Sequence, residues 1–72
     1  MDLILIGEKI KKLRVVNNMT QEELANKLYV TKQAVSKWEN AICLPDIENI
    51  EKICEIFKIK IDDLLSENIV NQ

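Results

Sequence analysis

Between Arg14 and Asn40 the sequence gathers the polar side chains with most to offer a ligand. Lys32, Gln33, Ser36 and Lys37 fall within one short segment; each carries a hydrogen-bond donor, and Gln33 and Ser36 carry acceptors as well. Arg14, Gln21, Thr31 and Asn40 surround that segment in the chain and add a guanidinium, two carboxamides and a hydroxyl. Such groups recognise by hydrogen bonding and charge. Residues suited to covalent or acid–base chemistry are scarce. Histidine is absent, which removes the commonest general base and the commonest metal ligand. Cys43 and Cys54 are too few for a zinc site without histidine partners. Glu22 and Glu23 are adjacent on a helix and face different directions, so they form no carboxylate pair. With no glycine-rich phosphate loop either, neither an enzyme nor a bound metal or cofactor is expected.

Positioning those donors requires helices. The chain has 72 residues, 47% hydrophobic and 31% charged, with one Gly and one Pro, a composition that favours helices joined by short turns. Ile6, Ile10 and Leu13 form the apolar stripe of a first helix, while Lys9, Lys11 and Lys12 project elsewhere and Asn17-Asn18 ends it. Thr20-Gln21-Glu22-Glu23 is a capping box, with Met19 and Leu24 placed to staple it. The helix that follows turns Leu24, Ala25 and Leu28 inward and stops near Leu28, because Thr31 caps another. Lys32 to Asn40 then reads as a helix with Val35 and Trp38 inward and Ala34 alongside, which leaves Lys32, Gln33, Ser36 and Lys37 outward or forward. Only Tyr29 and Val30 separate the two, so a helix-turn-helix spans roughly Gln21 to Asn40. Ala41 to Pro45 is a loop, and Asp46 caps a fourth helix at 47–57, patterned by Ile47, Ile50, Ile53, Cys54 and Phe57. A short fifth helix runs from Ile61 to Leu65. The predicted fold is all-α: one domain over 1–72, a compact bundle of five short helices with its core at about 6–65 and a tail at 66–72.

Both cysteines read as small buried hydrophobes, although a Cys43–Cys54 disulfide stays open. Two cysteines suit a reducing compartment, and the apolar run Leu3–Ile6 is too short for a signal peptide or a membrane span. A cytoplasmic protein without membrane association is expected. The net charge of −2 disfavours a polyanionic partner until its distribution is read. Through Asn40 there are seven basic and five acidic residues; from Ala41 onward there are three basic and seven acidic. The front is mildly basic and can face a polyanion. The acidic back supports an alternative, a protein-binding adaptor or antitoxin that holds its partner through the C-terminal half.

Thr20-Gln21-Glu22-Glu23-Leu24-Ala25, followed by Val30-Thr31-Lys32-Gln33-Ala34-Val35-Ser36-Lys37-Trp38-Glu39-Asn40, resembles the Cro/repressor family of helix-turn-helix proteins, also called the xenobiotic-response-element family. The resemblance extends over about residues 6–65. It implies a lambda-repressor-like DNA-binding domain with Leu24, Leu28, Val30, Val35 and Trp38 in the core. Ala25 is small there because the two helices approach most closely at that point. The resemblance also implies an ion pair, Arg14 with Glu39, tying the first helix to the end of the second helix of the motif. Tyr29 departs from the family, which usually has Gly at the turn; a left-handed backbone at a non-glycine residue costs roughly 1–2 kcal/mol.

The function implied is sequence-specific binding of double-stranded DNA by a transcription regulator, most simply a repressor. In that docking geometry helix 32–40 enters the major groove and Lys32, Gln33, Ser36 and Lys37 contact bases. Gln33 suits adenine, and Lys32 or Lys37 suits guanine O6 and N7, although a lysine serves equally well on phosphate. Arg14, Gln21, Thr31 and Asn40 are expected at phosphates, Gln21 because it opens a helix whose free amides favour an anion. Asn40 reads equally as a plain C-cap. A two-turn helix reads only a few base pairs, so a homodimer on an inverted-repeat operator is expected, with half-sites about 34 Å apart. Its interface is assigned to Ile61, Leu64, Leu65, Ile69 and Val70.

Overall fold

Five α-helices and no strand make up residues 2–66, the residues described by the computed structural model: α1 (Leu3–Val16), α2 (Gln21–Leu28), α3 (Lys32–Glu39), α4 (Ile47–Phe57) and α5 (Ile61–Leu65). Ile69 and Val70 of the anticipated interface lie outside the described residues. α1 begins three residues before the periodic stripe does. Asp2 is its N-cap, accepting from the backbone N–H of Ile4 at 2.9 Å and of Leu5 at 3.2 Å. The apolar run Leu3–Ile6 is therefore the first turn of the helix, with Ile6 inside and Ile4 in solvent.

α2 and α3 begin where their threonines dictate. Thr20 Oγ1 accepts from the Glu23 N–H at 3.0 Å, and the Glu23 carboxylate accepts from the Thr20 N–H at 2.8 Å. Thr31 Oγ1 accepts from the Ala34 N–H at 3.1 Å. Asp46 caps α4 through the N–H of Asn49 at 2.9 Å.

The first four helices all end by the same device. Asn18, Tyr29, Ala41 and Lys58 adopt positive φ between 57° and 60°. The next residue in each case donates its N–H to a carbonyl five residues back: Met19 to Arg14, Val30 to Ala25, Ile42 to Lys37 and Ile59 to Cys54, at 2.9–3.0 Å. This closure satisfies carbonyls that a helix end leaves without partners. Met19, Val30 and Ile59 then return to pack on the core, which helps to offset the left-handed strain. Ile42 alone stays in solvent.

Ile6, Ile10, Leu24, Ala25, Leu28, Val35, Trp38, Ile50, Ile53, Cys54 and Leu64 form the core. α3 packs on α1 and α2; α5 packs on α1 and α4. Lys9 fastens α5 to α1, its ammonium donating to the carbonyl of Asp63 at 3.0 Å and to that of Ser66. A cation at a helix C-terminus is favoured by the helix dipole as well as by the hydrogen bonds.

Three expectations change. Leu64 has no exposed surface: it fills the space between α5 and the rest of the core, so it is not available to a second subunit. Ile47 is 64% exposed, because the first residue of α4 faces away from the packed side. Cys43 is exposed in the loop before α4, whereas Cys54 is buried, and both are free thiols. Burial, reinforced by the nearby charge of Asp63, pushes the Cys54 thiol pKa up.

Candidate nucleic-acid interface

α3 is rotated about its axis by what it buries. Val35 and Trp38 point into the core at 0% and 5% exposure, and a helix has 3.6 residues per turn. Lys32, Gln33 and Lys37 are consequently exposed, and their side chains have no hydrogen-bond or ion-pair partner among the described residues. Ser36 is half-buried, and its hydroxyl lies 3.2 Å from the carboxamide nitrogen of Asn40. That same nitrogen donates to the Ser36 carbonyl at 2.9 Å, as does the Asn40 backbone N–H. Asn40 thus takes the capping role at the end of α3 while remaining at the surface. Ser36 is the least available of the four side chains assigned to bases.

The far end of α3 is held by a clasp that joins three helices. Arg14 Nε and Nη2 donate to the two carboxylate oxygens of Glu39 at 2.7 and 3.0 Å, and Nη1 donates to the Met19 carbonyl at 2.8 Å. The side chains of Arg14 and Glu39 are only 12% and 3% exposed. Hydrogen bonding to Glu39 raises the Arg14 pKa against the lowering effect of burial, so the guanidinium stays charged. Gln21 joins from the start of α2, donating to Glu39 at 3.0 Å. The sequence holds no local signal for this third member, because the two residues are eighteen positions apart. Arg14 and Gln21 are therefore committed to Glu39 through part of their donor capacity.

Beside this clasp lies a concavity of about 490 Å³ lined by Arg14, Met19, Thr20, Gln21, Glu22 and Lys32. The N–H groups of Gln21 and Glu22 come too early in α2 to reach an intrahelical acceptor. With the positive end of the α2 dipole and the Lys32 ammonium they suit an anionic oxygen, and the Glu22 carboxylate at the rim opposes it. The fold thus brings Arg14, Gln21 and Lys32 to one place, with Gln33 and Thr31 next to Lys32 in the chain. Ile61 is exposed and Leu65 half-buried on α5, which packs on α1 and α4. A contact absent from the sequence reading is the Lys52 ammonium, 6.0 Å from the centre of the exposed Tyr29 ring.

A family model described as helix-turn-helix matches residues 10–64. The HTH-type transcriptional activator BcrR of Enterococcus faecalis is 46% identical over 60 residues, which cover 83% of this chain and 29% of that protein's length. The P22 c2 repressor, solved in complex with a synthetic operator, superposes with a TM-score of 0.82 at 28% identity, covering 89% of this chain and 97% of the other. SinR, a master regulator for biofilm formation solved in complex with DNA, gives 0.77 at 31% identity, covering 85% and 98%. The chain belongs to the Cro/repressor-type helix-turn-helix family, with α2 and α3 as the motif and α1, α4 and α5 as its frame.

Proposed function

We propose that this domain regulates transcription by reading double-stranded DNA with α3 laid in the major groove. One observation carries the reading: an eight-residue helix is buried along one side and clasped at its end, while Lys32, Gln33 and Lys37 stand exposed with no side-chain partner among the described residues. Gln33 matches the paired donor and acceptor of adenine, and the lysines match guanine or phosphate. Ser36 accepts from Asn40 through its hydroxyl oxygen and keeps its O–H to offer a base. The concavity at the start of α2 receives a backbone phosphate, with Arg14 and Gln21 behind it, and Thr31 and Asn40 contact phosphates on either side of α3. Binding, not catalysis, is the activity, and it takes place in the cytoplasm without a cofactor.

The relatives support this at the level their names state: an activator, a repressor bound to an operator and a regulator bound to DNA. Repression is the simpler output, since occupying a site needs no further contact. The protein-binding alternative rests on the acidic C-terminal half alone and is not favoured. The domain measures 28 × 23 × 19 Å, less than one turn of duplex at about 34 Å, so a homodimer on an inverted repeat supplies the missing specificity. Ile61 and Leu65 are the described residues that offer apolar surface for it on α5.

Selection of sites from a pool of randomised duplex DNA at near-physiological salt tests the reading. Enrichment of an inverted repeat with half-sites one helical turn apart is the expected result. Weak, steeply salt-dependent binding with no enrichment would overturn it, because phosphate attraction would then be all that the DNA sees.

A further inference from the structure

Gly7 is buried inside α1, where a glycine weakens the helix relative to alanine. Its reason for being there is a neighbour. A Cβ at this position would collide with the carbonyl oxygen of Trp38 and stand 3.1 Å from the carbonyl oxygen of Glu39 and 3.3 Å from its carbonyl carbon. The opposing atoms are backbone, so no change of rotamer relieves the clash; the end of α3 has to move, by about 1 Å, to regain ordinary contact distance. Gly7 and Arg14 are seven residues apart, two turns of α1, and so lie on one face, with buried Ile10 between them. α1 therefore presents two features to the last turn of α3: a gap where the backbones touch, and a guanidinium that grips Glu39.

The two features act on different freedoms. The guanidinium fixes which way Glu39 points. The gap sets how closely the end of α3 approaches α1, and hence the tilt of the whole short helix. Hydrogen bonds to base edges tolerate only a few tenths of an ångström, whereas attraction to phosphates is insensitive to such shifts. Resting on the DNA-reading function proposed above, we propose that Gly7 is a positioning residue for specificity: by admitting the carbonyls of Trp38 and Glu39 against α1, it sets the tilt at which Lys32, Gln33 and Lys37 meet the bases.

The test compares the parent chain with Gly7→Ala on two duplexes, the site selected by the parent and a scrambled duplex of equal length, by fluorescence anisotropy across a salt series. The ratio of specific to non-specific affinity is expected to fall at least tenfold in Gly7→Ala, with the salt slope and helical circular dichroism retained. Loss of folded protein would lower both affinities together and leave the ratio alone. Ile53→Val, a core truncation in α4, is the control for that: its stability falls while its ratio stays. If Gly7→Ala is poorly folded in buffer, the same ratio is read in trimethylamine N-oxide, which restores the folded fraction. A Gly7→Ala ratio within twofold of the parent, in either solvent, overturns the inference and leaves the DNA-reading function standing. A parent chain with no preferred site overturns both.

Discussion

At its first turn α3 offers Lys32 and Gln33 to solvent, with no side-chain partner among the described residues. At its last turn Trp38 is 5% exposed, and the Glu39 carboxylate holds Arg14 and Gln21. Both conditions exist within eight residues. The difference separates two tasks: the buried end decides where the helix sits, and on the proposed function the open end decides what it recognises. A change at the open end should alter recognition with the fold intact, and truncating a side chain at the buried end should lower stability first.

Trp38→Ala breaks the comparison most severely. Truncating a buried Trp costs about 3–5 kcal/mol, against a total stability of roughly 4–10 kcal/mol for a chain of this size. Thermal denaturation should show a melting temperature at least about 12 °C lower, since each kcal/mol moves a small domain by about 4–8 °C. A smaller shift would mean that α3 is held mainly by polar contacts.

Glu39→Ala comes next, with an expected loss of about 3 kcal/mol by urea denaturation. It leaves the Arg14 guanidinium, 12% exposed, with the Met19 carbonyl as its remaining hydrogen-bond partner among the described residues. Arg14→Ala alone should cost a similar amount, yet the double substitution should cost much less than the sum, because neither charge is then stranded. Additive losses would show that the clasp is not a unit.

At the open end, Gln33→Ala should leave stability within about 0.5 kcal/mol of the parent. Affinity for the selected duplex should fall by about 1–3 kcal/mol, while affinity for scrambled DNA holds. Lys37→Ala distinguishes a base contact from a phosphate contact: in the second case binding weakens on every sequence and the salt slope drops by about 1. A Gln33→Ala chain that binds the selected site as tightly as the parent would remove Gln33 from the reading face.

The contrast between the two ends also explains what the sequence makes legible. The open end is set by local chemistry: Thr31 caps, Val35 and Trp38 turn inward, and the remaining side chains face out by helical period alone. Thr20 with Glu23 and Asp46 before α4 are readable for the same reason. The buried end is set by residues distant in the chain. Gly7 against the Trp38 carbonyl and Gln21 against Glu39 follow no short-range pattern, and Arg14 with Glu39 is anticipated only through family resemblance. Leu64 fails differently. In a five-residue helix, periodicity marks which residues are apolar and leaves open whether each meets its own core or a partner. Asp2 is a local cap whose helix is masked, because the run after it is too uniformly apolar to show a helical stripe.

The smallest expected effect lies just beyond each end of α3. Tyr29 and Ala41 both hold the left-handed backbone, at φ 58° and 60°. Glycine at either position removes roughly 1–2 kcal/mol of strain but restores roughly 0.5–1 kcal/mol of unfolded-chain freedom. Ala41 has only a methyl group to lose, so Ala41→Gly should stabilise by about 0.5–1 kcal/mol and raise the melting temperature by a few degrees. Tyr29→Gly gives up the ring beneath Lys52 as well, a contact worth about 0.5–1 kcal/mol at an exposed site, and should be close to neutral. Affinity for the selected duplex should stay within about twofold of the parent in both. If Ala41→Gly melts lower than the parent, the turn after Asn40 is stabilised by more than backbone geometry, and the buried end of α3 extends into the loop beyond it.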